Sequence, residues 1–288
     1  MNILTEPVYF IDKSFNSKNI SNYHLSLQVF LKGFSFCILD RENNKFVGLG
    51  HYYYEHITSY KKLLELIDRV FQYNEILKLN FEHTKVIFAT PKFTFIPAPF
   101  YSTEQTKELF EFNHKIAKFE KLYTNYIYSN STYVVFAIPE FINNWIDERL
   151  PNAKIYHQSI PLIEEILLKN KTTLIQKSIY VNVYHSFIDI AYISDGSLKL
   201  FNSFAYQSST DFQYFILNTF DQLKLSPVEI PTFFSGFIGK SDLKIENIKK
   251  FIKNMTFLQK PSHFQFSFDF NSIEDHYFTN MINLYQCG

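Results

Sequence analysis

The feature that most constrains this chain is a segment that occurs twice. Residues 25–54 (LSLQVFLKGFSFCILDRENNKFVGLGHYYY) read as three short strands joined by tight turns, with an amphipathic helix behind them. Residues 178–206 (SIYVNVYHSFIDIAYISDGSLKLFNSFAY) repeat that order, again followed by a helix. Gln28 aligns with Asn182, Phe34–Asp40 with Phe187–Asp195, and Lys45–Tyr54 with Ser197–Tyr206. The match is one of pattern, with low identity. A strand-strand-strand-helix opening given twice predicts two halves of like α/β architecture, each closing its own core, and argues against a helical bundle or a sandwich.

Composition narrows the chemistry. Of 288 residues, 46% are hydrophobic, with 33 Phe and 20 Tyr, so the chain is globular. Only 7 are Gly, which leaves few for loops that wrap a phosphate. Lys+Arg and Asp+Glu are both 28, so there is no basic excess of the kind that drives phosphate-backbone binding, and nothing points to nucleic acid. Cys37 and Cys287 lack metal-ligand or CxxC spacing, and Cys37 reads as a small buried apolar residue. The first 16 residues lack a basic stretch followed by an apolar one, and no run reaches the roughly 18–20 apolar residues of a membrane helix. The expectation is a cytoplasmic protein without a membrane span.

Along the first half, strands are expected at 25–31, 34–40 and 46–54, with a helix over 58–77 and a buried strand at 86–89. Ser102 and Gln105 have the spacing of a capping box, opening a helix to about Asn113. Strands follow at 121–128 and 132–138, a helix runs between Pro139 and Pro151, and 153–157 and 161–169 are a strand and a helix. The polar run 169–173 is the linker candidate, which predicts domains at 1–171 and 172–288. The second half has strands at 175–184, 187–194, 198–206 and 230–235, and helices at 210–223, 242–254 and 272–284.

Few positions carry chemistry. Ser235-Gly236-Phe237-Ile238-Gly239-Lys240-Ser241 follows a buried strand and opens a helix, but lacks the spacing of a P-loop. The nine histidines show no metal-binding helix pattern, and no nucleophile elbow is present. His185, Ser186 and Asp189 are triad residue types, yet nearness in sequence is not triad geometry. Asp40, Asp189 and Asp195 form no evident two-metal set for a nuclease. The aromatic, proline-rich stretch Pro91–Tyr101 reads equally as an exposed patch for a partner or as cover for a sheet edge.

Leu25–Asp40 (LSLQVFLKGFSFCILD), Phe95-Ile96-Pro97, Phe110-Glu111-Phe112-Asn113 and the Ser235-Gly236 loop together resemble a family of uncharacterised bacterial proteins carrying a domain of unknown function. The resemblance spans about residues 20–285 and rests on structural more than catalytic motifs. It implies an α/β fold of two ribonuclease-H-like subdomains in an actin-like ATPase arrangement. In actin-like ATPases the first strand of each copy ends in an Asp that positions Mg²⁺ and the attacking water, and Gly-rich turns hold the phosphates. Here Gln28 and Asn182 stand at those positions, and the turns carry Lys32-Gly33 and Tyr184-His185-Ser186. Neither amide brings charge to a hard cation.

The expectation is therefore a degenerate, non-enzymatic pseudo-ATPase that acts by binding a protein partner, with no cofactor. The alternative is a divergent protein that still takes ATP and Mg²⁺ through Gln28, Gly33, Asn182, Asp189, Ser235, Gly236 and Gly239. In that case Asp189 is the one nearby acid able to stand in for the missing carboxylates. No residue is assigned a catalytic or metal-ligating role.

Overall fold

The computed structural model describes residues 7–171 and 175–287. Thr172 and Thr173 of the linker candidate, and residues 1–6 of the N-terminal stretch, lie outside the described residues. Two compact units result: Met1–Pro161 with Ser262–Ser272 and Met281–Gly288, and Leu162–Pro261 with Ile273–Asn280. This partition differs from a cut between 171 and 172. It falls inside a helix, where no change of composition marks it.

In the first unit the main sheet contains β1 (Val8–Ile11), β2 (Tyr23–Phe30), β3 (Gly33–Asp40), β4 (Lys45–Tyr53), β5 (His83–Ala89) and β9 (Lys154–His157). Their order is β1-β4-β3-β2-β5-β9, and the two-residue β15 (Gln265–Phe266) also pairs with β4. β2, β3 and β4 run antiparallel, while β2, β5 and β9 run parallel. Helix α1 (Tyr60–Tyr73) is capped by Ser59 and buries Leu63, Ile67 and Phe71, one face at i, i+4, i+8 spacing. A small antiparallel sheet of β6 (Phe93–Pro97), β7 (Glu120–Ile127) and β8 (Thr132–Pro139) is inserted between β5 and β9, in the order β6-β8-β7. With α2 (Thr106–Glu111) it encloses a core of Ile96, Phe110, Val135 and Ala137. α3 (Glu140–Arg149) follows it, and Trp145 meets Phe71 of α1 edge to face at 4.9 Å. α4 (Ser159–Asn170) begins in the first unit and carries the chain into the second.

The second unit has β10 (Lys177–Val183), β11 (Phe187–Ser194), β12 (Ser197–Ala205), β13 (Thr232–Gly236) and β14 (Met255–Phe257), in the order β12-β11-β10-β13-β14. The directions repeat those of the first unit: antiparallel across β10–β12, parallel across β10, β13 and β14. α5 (Ser209–Gln222) opens with a capping box in which Ser208 and Asp211 satisfy each other's backbone donors. Phe212, Ile216 and Phe220 of α5, with Ile245 and Ile248 of α6 (Leu243–Ile248), cover the sheet. The short α7 (Thr279–Asn283) ends the regular helices.

The duplication extends to an irregularity. In β4 the ladder against β3 skips Val47, because Ile38 pairs with Gly48 and Leu39 with Phe46. In β12 it skips Lys199, because Tyr192 pairs with Leu200 and Ile193 with Leu198. A β-bulge places one extra residue on one strand and is a retained design feature rather than a defect. Here it falls three residues beyond Ser35 in one unit and three beyond Asp189 in the other. The alignment of Lys45–Tyr54 with Ser197–Tyr206 therefore holds residue by residue. That of β3 with β11 shifts by one: Ser35 corresponds to Asp189, and Gly33 rather than Phe34 to Phe187.

Several expected elements differ. Ser102 does not cap α2. Its hydroxyl turns to Glu104 while its carbonyl accepts from the Thr106 hydroxyl at 2.8 Å, and the helix starts at Thr106. Pro91–Tyr101 is part edge strand and part exposed: among the described residues β6 pairs only with β8, Phe93 and Ile96 are buried, and Phe100 is 73% exposed. Cys37 is fully buried, and that burial raises its thiol pKa.

Two histidines of the first unit are locked neutral. His157 Nε2 lies 3.0 Å from the Thr90 carbonyl, which can only accept, so Nδ1 is the bare nitrogen that takes the Ser159 hydroxyl at 2.7 Å. Burial lowers the pKa of His157 to about 3, and burial reinforced by Lys85 lowers that of His24 to about 3. The unfolded chain binds these protons near pH 6.5, so stability is full above that pH and falls as pH drops from about 6.5 towards 3. We expect the urea unfolding free energy to drop by roughly 3–4 kcal/mol between pH 7 and pH 5, at about 1.4 kcal/mol per pH unit for each imidazole. His157→Gln should remove about half of that dependence; a pH-independent midpoint would contradict it.

Candidate functional site

A row of polar side chains crosses each main sheet at the same register. In the first unit Gln28 of β2 pairs with Ser35 of β3, which pairs with His51 of β4. In the second, Asn182 of β10 pairs with Asp189 of β11, which pairs with Ser203 of β12. Side chains directly opposite in a sheet share one face, so each row forms a contiguous strip. Gln28, Ser35, His51, Asn182 and Asp189 are all buried.

The strips close on themselves. Ser35 Oγ and His51 Nδ1 are 2.8 Å apart. The Ser203 hydroxyl donates to Asp189 Oδ1, and the Ser235 hydroxyl donates to Asn182 Oδ1 at 2.9 Å. Gln28 Oε1 is buried without a hydrogen-bond partner among the described residues. Asp189 is thus a sheet-centre carboxylate held by a neighbouring hydroxyl, not a solvated turn residue. Asp195 follows the end of the same strand, six residues on, which is roughly 20 Å at the rise of a β-strand. Asp40 folds onto its own turn, accepting from the Glu42 and Asn43 backbones at 3.1 and 3.2 Å. Among the described residues no group of three His, Cys, Asp or Glu side chains converges as metal ligands do.

The first hairpin of each unit turns in two residues. Phe30 pairs with Gly33 around Leu31-Lys32, and the Tyr184 N–H donates to the Phe187 carbonyl at 2.9 Å around His185-Ser186. No residue of either turn has a positive φ. The left-handed conformation that lets successive N–H groups converge on an anion is therefore missing from both. The position of Gly33 is filled by protein: a Cβ there would lie 2.1 Å from the Tyr52 carbonyl oxygen. Tyr184 is buried against Phe187 with ring centroids 4.4 Å apart, and its hydroxyl accepts from Asn280 at 3.1 Å. Burial first, and the Asp189 carboxylate second, hold its phenol far above the usual pKa.

The Ser235–Lys240 loop has its own use for its backbone. Gly236 N–H donates to the His276 carbonyl at 2.8 Å, Phe237 N–H to the Val183 carbonyl at 2.7 Å, and Ile238 N–H to the Gly236 carbonyl at 2.9 Å. Lys240 N–H reaches Glu274 Oε1 at 3.3 Å, and His276 Nε2 donates to the Ile238 carbonyl at 2.7 Å. Burial lowers the His276 pKa, consistent with a neutral ring in this role. Gly236 adopts φ +86°, where a Cβ would lie 2.3 Å from the Val183 carbonyl oxygen and 2.9 Å from Asn182 Oδ1. Gly239 has Tyr277 and Glu274 beside it.

Of the candidate positions, Asn182, Asp189, Ser235 and Gly236 come together around the end of β10, and Gln28 and Gly33 lie on the matching hairpin of the first unit. Gly239 lies further along the loop. Sequence reading missed Ser35 and His51, which bond each other in the strip beside Gln28, and Ser203 and His276, which bond Asp189 and Gly236. The alternation of β4 and β12 gave the only signal, since it put His51 and Ser203 in equivalent places.

A five-strand sheet of order 3-2-1-4-5, given twice with the same bulge, defines a protein of the actin-like ATPase fold. A crystal structure from Bacteroides thetaiotaomicron VPI-5482, described as a protein with actin-like ATPase fold and unknown function, matches with 25% identity and a TM-score of 0.81, covering 95% of this chain and 99% of that one. The PilM–PilN type IV pilus biogenesis complex contains a chain of the same fold, with 9% identity and a TM-score of 0.56, over 91% of this chain and 97% of that one. No curated protein matches. The chain belongs to the family described as "Protein of unknown function (DUF3822)", whose model matches residues 12–255.

The loop geometry predicts a contrast between two glycines. Gly236→Ala should cost about 2–4 kcal/mol in urea unfolding, from the left-handed backbone together with overpacking against Val183. Gly196→Ala, at φ +69° with nothing within 4 Å, should cost only about 1 kcal/mol. Equal costs would show that the loop is not closed as described.

Proposed function

We propose that this protein has given up ATPase chemistry and works in the cytoplasm as a pseudo-ATPase that binds a protein partner, without a cofactor. The observation that carries this reading is the pair of first hairpins. Each follows an uncharged amide, Gln28 or Asn182, and each turns in two residues without a left-handed one. Magnesium needs anionic oxygen, and phosphate needs converging N–H groups, so both halves of the chemistry lack their usual groups. The Ser235–Lys240 loop adds support, because the N–H groups of Gly236, Phe237, Ile238 and Lys240 already have acceptors within the second unit.

Partner binding is supported by analogy of fold. A chain of the same fold is seen in the PilM–PilN type IV pilus biogenesis complex. Exposed aromatic residues, Phe100, Phe112, Phe119 and Tyr128, also stand in the segments that flank the strands of the small sheet.

Calorimetric titration of the purified protein with ATP and ADP, with and without Mg²⁺, tests the reading. No binding up to millimolar nucleotide is the expected result. Micromolar affinity would overturn it and make the altered turns a working nucleotide site.

A further inference from the structure

A groove of about 710 Å³ opens on the first unit, between the end of α1 and the outer strands of the main sheet. Its walls follow from the strand register. Tyr9 of β1 pairs with Gly50 of β4, and Gly50 pairs with Phe36 of β3. With no side chain at position 50 the Phe36 ring lies over that strand, where a Cβ would come within 2.1 Å of it, and meets Tyr9 edge to face at 6.2 Å. Two residues on, Tyr52 shares the face and stacks on Phe34 at 4.8 Å. Core rings thus hold both tyrosines from behind. α1 packs on the same face, with Phe71 6.4 Å from Phe34, and its last turns bring Arg69 and Tyr73 to the groove.

Arg69 gives the groove its charge. Asp68 beside it already accepts from Arg149, Trp145 and Gln72, at 2.8, 3.2 and 2.7 Å. Glu75, the acid on the groove itself, pairs with Lys78 at 2.6 Å. Among the described residues Arg69 makes no side-chain hydrogen bond and no ion pair, either with Glu65 one turn before it on α1 or with any other acid.

We propose that this groove receives a short extended segment of a protein partner in which an acidic and an aromatic residue stand two apart, the carboxylate on the Arg69 guanidinium and the ring among Tyr9, Tyr52 and Tyr73. The proposal rests on the partner-binding reading above and gives that partner a place and a chemistry. Arginine offers a carboxylate a planar fork of donors, and tyrosine rings take another ring edge-on or offset. Arg69 and Tyr73 are one helical turn apart, which sets their Cβ atoms roughly 5–6 Å from each other. Side chains on one side of an extended chain recur about every 7 Å, and the long arginine stem spans the difference.

Exposure selects a protein over a small molecule. Tyr73 is 84% exposed and Tyr9 46%, so one wall of the groove is open. A small ligand binds where most of its own surface is covered. A partner covers the rim tyrosines while one of its side chains fills the recess. Tyrosine and arginine are also enriched among the residues that dominate protein–protein affinity.

The test uses the full chain and a fluorescein-labelled peptide, GSELWSG, which carries the acid and the ring at that spacing. Saturable binding below millimolar concentration is expected, with amide exchange slowed over residues 69–76. Arg69→Glu, a surface change, should weaken it about three- to tenfold, and GSKLWSG should recover that loss on the variant. Tyr73→Ser should weaken it about two- to tenfold. Arg41→Glu, at an exposed cation beyond the opposite end of β4, should leave it unchanged. No binding at millimolar peptide, equal affinity on Arg69→Glu or Tyr73→Ser, or an equal loss on Arg41→Glu would overturn the proposal. Phenylacetate competing as tightly as unlabelled peptide would overturn it in favour of a small-molecule site. Self-association in light scattering that Arg69→Glu and Phe112→Ser both abolish would overturn it in favour of a second copy, whose exposed Phe112 stands beside Glu111. These failures leave the nucleotide titration untouched, and nucleotide binding would overturn the pseudo-ATPase reading without altering the peptide result.

Discussion

A strand buried along its whole length has only the protein around it to satisfy the polar groups it carries. β2 is buried at all eight residues and β10 at all but its first, and each carries one amide near its end, Gln28 and Asn182. Ser235 meets Asn182 directly, Ser203 meets the neighbouring Asp189, and Ser35 with His51 forms the matching strip in the first unit. A one-residue slip would send every side chain of such a strand to the other face. The polar row and the bulge three residues beyond it therefore fix the same register in both sheets, and the hairpins and loops at the strand ends inherit it.

That register also explains why the residues at the strand ends suit structure better than catalysis. A carboxylate at position 28 would be buried opposite Ser35, and one at position 182 would be buried opposite a second carboxylate, Asp189; an unpaired buried charge costs several kcal/mol. An amide avoids that cost. The hairpins turn in two residues, and large rings lie beside them. Phe30 stacks near His51 at 6.1 Å, and Tyr184 stacks on Phe187 at 4.4 Å. Gly236 then keeps its glycine for a reason within the second unit, the close approach of the Val183 backbone. Uncharged amides, two-residue turns and loop amides bonded to protein acceptors thus occur together.

Much of the fold was legible because alternation in β2–β4 and β10–β12 is strong and local. What failed was non-local. β1 is a strand only because β4 pairs with it; four residues behind a proline give no signal of their own. The terminal helix expected over 272–284 shrinks to Thr279–Asn283, since Ile273, Tyr277, Phe278, Met281, Ile282 and Leu284 are buried on all sides rather than along one stripe. α6 stops at Ile248, short of the expected end at 254, and Lys249 and Lys250 lie in the turn that follows. At the candidate site, the neutral amides and scarce glycines could be read from the chain. Their partners could not, because a cross-strand neighbour such as Ser203 for Asp189 is set by register and bulge together.

The central claim is that the loop amides at the end of β13 are committed to protein acceptors and that the two first hairpins are closed to nucleotide. A crystal structure grown in millimolar ATP and Mg²⁺ tests it most directly. The account predicts Gly236 N–H still on the His276 carbonyl, Phe237 N–H still on the Val183 carbonyl, two-residue turns at Leu31-Lys32 and His185-Ser186, and no nucleotide density at any of them. Phosphate oxygens accepting from those N–H groups, or Mg²⁺ beside Gln28 or Asn182, would contradict it.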